Sequence, residues 1–238
     1  MGIFEALPKQ KVTTLLVVIV IVLTTISFSL GAIISEQMTD SSFVKQLLTL
    51  FNLDGEANIP TWFATFLLCF NGLIMFIIAY RRKWMEQGDV LYWLILGIIF
   101  LILSIDEFVK LHEITIRPLR EALGTSGGLY YAWVIPGGIF VAIIGLLYFP
   151  FLFRLPTRTR NLIIIAGIIY VLGAIGMEIL GGLYTESIAP TQVDTAARGL
   201  GYVVLVNIEE TLEKVGLIIL FHGLISYMDL LMKDVKAS

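Results

Sequence analysis

The chain is short of charge. Of its 238 residues only 15% are Asp, Glu, Lys or Arg, against about 25% in soluble domains. That deficit excludes a soluble domain over most of the length. Cysteine is almost absent: Cys69 stands alone inside an apolar run, so neither a disulfide framework nor a cysteine metal site can be built. It reads as a small buried hydrophobe. Histidine is scarce too, with His112 and His222 only. No heptad array, P-loop, dinucleotide fingerprint or nucleic-acid motif occurs, and no convincing internal repeat. No nucleic-acid partner is expected. The formal net charge of −3 is too small to name any other partner.

What the chain has is apolar sequence in long runs. Hydrophobic residues make up 58% and the mean hydropathy is +0.90. A bilayer-spanning helix takes roughly 20 such residues. The expected fold is all-α: a single membrane-embedded domain, 1–238, forming a bundle of six transmembrane helices. The spans read as about 12–34, 60–80, 90–109, 129–153, 162–184 and 200–227. The first follows Lys9 and Lys11, but its apolar core is too long for a signal peptide and no small-residue cleavage motif closes it.

Lysine and arginine set the expected orientation. Lys9, Lys11, Arg81, Arg82, Lys83, Arg154, Arg158, Arg160, Lys233 and Lys236 fall in one set of short loops and ends. The opposite loops hold Lys45, Arg117, Arg120 and Arg198. Both termini are therefore expected in the cytoplasm. Trp62, Trp84, Trp93, Trp133, Tyr80, Tyr184 and Tyr202 sit near span ends, as interfacial aromatics do. The first outer loop contains "DSSFVKQLLTLF", a capping signal followed by helical apolar spacing. It predicts an amphipathic helix at about 41–52, either on the membrane surface or over the outer mouth of the bundle. The "GTSGG" stretch, residues 124–128, reads as a turn.

The end of the third span breaks the pattern. "SIDEFVKLHE" brings Asp106, Glu107, Lys110, His112 and Glu113 into a few residues after "VLYWLILGIIFLIL". The fifth span carries Glu178 in "GAIGMEILGG", and the sixth carries Glu209, Glu210, Glu213 and Lys214 in "NIEETLEK". In a six-span topology all three groups fall at similar depth, toward the outer half. Asp106, Lys110 and Glu113 share an arc of roughly 60° on a helix, and Glu209, Glu210 and Glu213 one of roughly 100°. Gly173, Gly176, Gly181 and Gly182 surround Glu178, and small residues let helices approach closely. Ionisable groups in a span are costly and face the bundle interior. A shared site among spans three, five and six is the simplest arrangement.

Its charge does not balance. Asp106, Glu107, Glu113, Glu178, Glu209, Glu210 and Glu213 face the nearby cations Lys110 and Lys214, with Arg117, Arg120 and Arg198 closer to the surface. In low dielectric some of these acids must hold protons, bind another cation or reach water. His112 and Glu113 are the candidate metal ligands, and a divalent metal ion is the candidate cofactor. The di-metal bundle pattern, Glu-x-x-His on each of two helices, is absent. A structural alternative remains: Asp106 with Lys110 and Glu210 with Lys214 are spaced as i,i+4 pairs, and His112 and Glu113 are solvated if the span ends at Val109. His222, alone in the other half, reads as packed or hydrogen-bonded.

With "SIDEFVKLHE", "YYAWVIPG", "LPTRTR", "GAIGMEILGG" and "EETLEKVGLIILFHGLISYM" in order, the chain resembles a family of uncharacterised bacterial multi-pass membrane proteins, some of which carry a multidrug-transporter label. The resemblance covers most of the chain from the third span onward. It implies the bacterial inner (cytoplasmic) membrane as the setting, with no activity attached. Zinc-dependent membrane hydrolases of the alkaline-ceramidase type fit less well. Ser104, Asp106 and His112 are present, but the further histidines are missing. Three functions stay open: a cation or proton site used in transport, a metal-dependent enzyme acting on a lipid or quinone-like substrate, and a structural or accessory subunit. Lipid is the expected surrounding, and protein partners are not named by the sequence.

Overall fold

The computed structural model describes residues 9–36, 40–188 and 199–237, with the side chains of 234–237 outside that description. Among the described residues there is helix and no strand. The α-helices are α1 (Lys9–Ser35), α2 (Ser42–Phe51), α3 (Ile59–Trp84), α4 (Val90–Val109), α5 (Leu111–Leu123), α6 (Val134–Leu152), α7 (Thr157–Val171), α8 (Glu178–Ile188) and α9 (Gly199–Ala237). A π-helical turn, Leu172–Met177, joins α7 to α8 without a break. Six segments are long and apolar enough to cross a membrane: α1, α3, α4, α6, the continuous Thr157–Ile188 unit, and the Gly199–Lys233 part of α9. Large apolar side chains such as Leu15, Ile21, Ile98, Ile102 and Leu146 stand exposed around them. In water these would be a liability; in hydrocarbon they form the lipid-facing surface. The chain is a multi-pass integral membrane protein.

Three helix pairings build the bundle. Helix α1 runs antiparallel to α9: Lys9 Nζ lies 2.7 Å from Asp229 Oδ2 at one end, and Thr24 and Thr211 hydroxyls meet at 2.9 Å midway. Helices α3 and α4 are also antiparallel. Arg82 holds Asp89 in a bidentate pair at the turn between them, and Ser104 Oγ donates to the Thr65 carbonyl near the far end. The third pairing, α7 with α9, depends on close approach. A Cβ on Gly216 would lie 2.9 Å from the Ala166 carbonyl oxygen and the Tyr170 amide nitrogen. One on Gly173 would lie 2.9 Å from the Glu209 carbonyl oxygen. Glycine at both positions lets the two backbones touch.

The two ends of the bundle differ. At the end holding Lys9 and the Arg82–Asp89 pair, an apolar core closes the structure. Trp93 of α4 is fully buried, stacks on Tyr227 at 5.4 Å and meets Phe151 edge-on at 5.2 Å. Tyr148 of α6 donates from its hydroxyl to the Tyr92 carbonyl. Helix α6 is anchored there and again at buried Val134, but none of its residues between 135 and 147 is buried. The middle of α6 stands off from the bundle, and a chamber of about 1560 Å³ opens behind it.

Two expectations change in detail. The fourth span starts at Val134 rather than near 129, because residues 127–129 form a 3-10 turn. The stretch after the third span is not a plain loop. It is α5, set off from α4 by a single residue, Lys110, in the left-handed conformation (φ 50°, ψ 50°). The surface helix α2 is present, with Phe43 and Leu50 exposed and no residue buried.

Candidate functional site

The chamber lies between α4, α6, the α7–α8 unit and α9, with α5 across one mouth. Its lining divides by chemistry. Toward the closed end it is apolar, with Trp93, Leu96 and Phe100 of α4, Ile144 of α6, Ile163 of α7 and Leu220 of α9. Toward α5 it carries Asp106, Glu107, Glu178, Glu209, Glu210 and Glu213. These acids are part-exposed by surface area although they sit deep within the fold. Both statements hold because the surface they expose is the chamber wall.

Helix geometry explains the placement. Glu209, Glu210 and Glu213 share a face of α9, and Gly173 brings the α7–α8 unit against it beside Glu209 and Glu213. The π turn puts an extra residue into the helix just before Glu178. Such wide turns concentrate at functional positions. The groups reach one another electrostatically. Glu107 feels Glu210 and Lys214; Glu209 feels Glu178, Glu213 and Glu210; Glu213 feels Glu210, Glu107 and Glu178. The acids of the third, fifth and sixth spans thus line the same chamber.

The pairings differ from the sequence reading at α4. Asp106 and Lys110 are not an i,i+4 side-chain pair. The helix stops at Lys110, whose left-handed backbone turns its side chain away. Lys110 Nζ instead meets Glu113 Oε1 at 2.6 Å, Glu56 Oε1 at 3.9 Å and the Asp54 carbonyl at 3.1 Å. The shared arc of Asp106, Lys110 and Glu113 is broken for the same reason. Asp106 turns to His112: its carboxylate accepts the His112 backbone N–H at 2.9 Å and lies 2.7 Å from Nδ1. One carboxylate thereby caps the start of α5 and orients the imidazole.

At His112 and Lys110 neighbouring acids outweigh burial. Burial opposes the His112 imidazolium, but the hydrogen bond and charge of Asp106, helped by Glu113 and Glu178, outweigh it and hold the pKa above 6.5. Burial likewise opposes the Lys110 ammonium, and Glu113 more than offsets it, so its pKa is raised. His112 is part-buried and Glu113 is exposed.

Glu210 and Lys214 do pair on α9. The Lys214 side chain is 1% exposed and that of Glu210 21%. Glu178 finds a partner that sequence reasoning missed: the indole N–H of Trp133, at the start of α6, donates to it at 2.8 Å. The Trp133 ring also packs on His112, with centroids 4.6 Å apart. Tyr202 is a second omission, its hydroxyl donating to the Asp54 carboxylate at 3.2 Å. Trp133 and Tyr202 were visible only as interfacial aromatics. Asp54, in the turn-rich "NLDGE" segment, carried no signal that it would fold back over the mouth.

Two arginines of α5, Arg117 and Arg120, also line the chamber. Arg117 pairs with Glu121 on exposed α5, and the Arg120 guanidinium lies 4.2 Å from the centre of the Tyr130 ring. Arg198 is outside the described residues. His222 is hydrogen-bonded, its Nδ1 3.0 Å from the Thr13 hydroxyl. Among the described residues no three His, Cys, Asp or Glu side chains gather as metal ligands would. In particular, His112 Nδ1 is engaged by Asp106, and Glu113 by Lys110.

Residues 13–228 match the family model described as "Domain of unknown function (DUF8692)". The chain belongs to that family. The match runs from the first span into the last, so the family covers the whole bundle and the acidic pole. No curated protein and no solved structure matches the chain.

Proposed function

We propose that this DUF8692 protein binds a cation or a proton at the acidic pole of its chamber and uses that site in transport. The supporting observation is the charge balance. Glu210 is matched by Lys214, Asp106 by His112, and Glu113 by Lys110. Glu107, Glu178, Glu209 and Glu213 remain, lining the same chamber. Four carboxylates at membrane depth, beyond those ion pairs, need counter-charge from protons, a cation or entering water.

The bacterial cytoplasmic membrane is the proposed setting, on the resemblance described above. Lysine and arginine in the loops support cytoplasmic termini, and in that orientation we read the acidic pole as belonging to the outer half. The test is a Glu213→Gln variant in proteoliposomes, with Glu121→Gln on exposed α5 as control. Proton-linked or cation-linked flux lost only in Glu213→Gln supports the reading. Identical behaviour of parent, Glu213→Gln and Glu121→Gln ends it.

A second reading is favoured by the Asp106–His112 pair lining the chamber. A carboxylate-oriented histidine next to an apolar space suits a membrane enzyme acting on a lipid or quinone-like substrate. Elemental analysis tests its metal-dependent form: stoichiometric iron, manganese or zinc that is lost with His112→Ala supports it.

A further inference from the structure

We propose that the chamber's ligand is a lipophilic organic cation, an ammonium- or phosphonium-type head joined to an apolar body, rather than a bare ion. This rests on the reading of the acidic pole as a cation site and names what the cation is attached to.

Size comes first. A water molecule occupies about 30 Å³ of liquid, and drug-sized ligands fill pockets of roughly 300–1,000 Å³. The chamber holds about 1560 Å³. A metal ion with its coordinating waters would leave most of it empty. The long apolar part, from Leu103 past Phe100 and Ile144 to Leu220, has no use for a bare ion and suits a hydrocarbon or aromatic body.

Recognition at the pole agrees. A hard metal ion wants several oxygens converging at short range, and no such group exists among the described residues. Carboxylates are instead accompanied by aromatic rings: Tyr131, Trp133, Tyr170 and Tyr202 line the same chamber, and the Trp133 indole donates to Glu178. Carboxylates with aromatic faces are how proteins take organic ammonium groups, by diffuse charge and cation–π attraction. The surplus of acid favours a cation. Lys214 is already committed to Glu210, Arg117 to Glu121, and Arg120 lies over the Tyr130 ring. A cationic head therefore supplies counter-charge that the remaining glutamates would otherwise take from protons or water.

The route in is also present. Phe140 of α6, Ile164 and Ile168 of α7, and Leu172 of the π turn line the chamber and are exposed. The gap between α6 and α7, beside them, is the proposed side entrance at lipid depth. A molecule already dissolved in the bilayer can enter there without crossing water.

Two glycines make the idea testable without touching the acids. Gly145 on α6 and Gly167 on α7 line the chamber, and a Cβ at either meets nothing within 4 Å. Gly167→Phe or Gly145→Phe therefore fills apolar space at little cost to packing. The full chain in nanodiscs of zwitterionic lipid is titrated with tetraphenylphosphonium by equilibrium dialysis. Triphenylphosphine oxide serves as a neutral comparison.

Saturable binding of tetraphenylphosphonium is expected, at least about tenfold weaker in Gly167→Phe, Gly145→Phe and Glu213→Gln, with the neutral compound at least tenfold weaker on the parent. Proton uptake by the parent between two pH values is measured on the same samples. Normal, Glu213-dependent proton uptake without binding of the organic cation overturns this inference and leaves the cation or proton site standing. Equal binding of the neutral compound, or binding unaffected by both glycine variants, also overturns it. Absence of both proton uptake and cation binding overturns the underlying site. A glycine variant that fails to fold is judged by the other, and failure of both contradicts the open chamber on which the inference stands.

Discussion

Lys214 is the side chain on which the charge balance turns. It is the buried cation of the pole, 1% exposed, and Glu210, Glu107 and Glu213 all act on it. Lys214→Met keeps the volume and helix propensity and removes the charge. Breaking one partner of a buried ion pair costs about 3–5 kcal/mol, and here the loss leaves three neighbouring carboxylates without their cation. Glu210→Gln is a milder change. Lys214 keeps Glu107 and Glu213, so the expected cost is about 1 kcal/mol, the net value of a hydrogen bond. The assay is unfolding of the purified protein by SDS in mixed micelles, followed by tryptophan fluorescence and extrapolated linearly. Acid supplies protons in place of the missing cation, so the Lys214→Met penalty should shrink between about pH 7.5 and pH 5. Refutation is an equal or larger loss for Glu210→Gln, or a Lys214→Met penalty that ignores pH. Either result would mean that the pole is not dominated by acid.

Three further outcomes follow from named contacts. Trp133→Phe keeps the ring on His112 and removes the N–H given to Glu178, so it should cost about 1–3 kcal/mol; parent-like stability would show that the bond carries nothing. Gly216→Leu drives a side chain into the Ala166 and Tyr170 backbone and should destabilise by 1–3 kcal/mol or more, about the cost of overpacking, read as a lower unfolding midpoint; an unchanged midpoint would contradict the close α7–α9 contact. His112 has a raised pKa, so its charged pair with Asp106 contributes fully below pH 6.5 and is lost as pH rises through the folded value; His112→Gln should flatten the stability profile above 6.5, and an unchanged slope would rule the pair out as its source.

The spans were legible because hydrocarbon demands long apolar helices and little else has that signature. The acids were legible for the converse reason: an ionisable group in such a run has to be turned inward. Pairing within one helix was legible where the helix is continuous, as for Glu210 and Lys214. It failed at Lys110, where nothing local marks the break. Lysine in the left-handed region costs about 1 kcal/mol relative to ordinary helix, and the contacts to Glu113, Glu56 and Asp54 stabilise it there. Those contacts lie across a turn and across the chain. The Trp133–Glu178 bond was hidden for the same reason, since the partners are 45 residues apart. The chamber itself had no sequence signal. Helix α6 is apolar on all sides, so its pattern cannot say that its middle stands away from the bundle while its ends are held.

The central claim is that carboxylates at the chamber pole hold protons or a cation. Infrared difference spectroscopy of the protein in lipid measures this directly, by the carbonyl stretch of protonated carboxyl groups between about pH 5 and pH 8. The account predicts a protonated-carboxyl band at a position typical of an apolar setting, reduced in Glu213→Gln and unchanged in Glu121→Gln. A spectrum with no such band, or one identical in parent and Glu213→Gln, with no response to added cations in either, would contradict it.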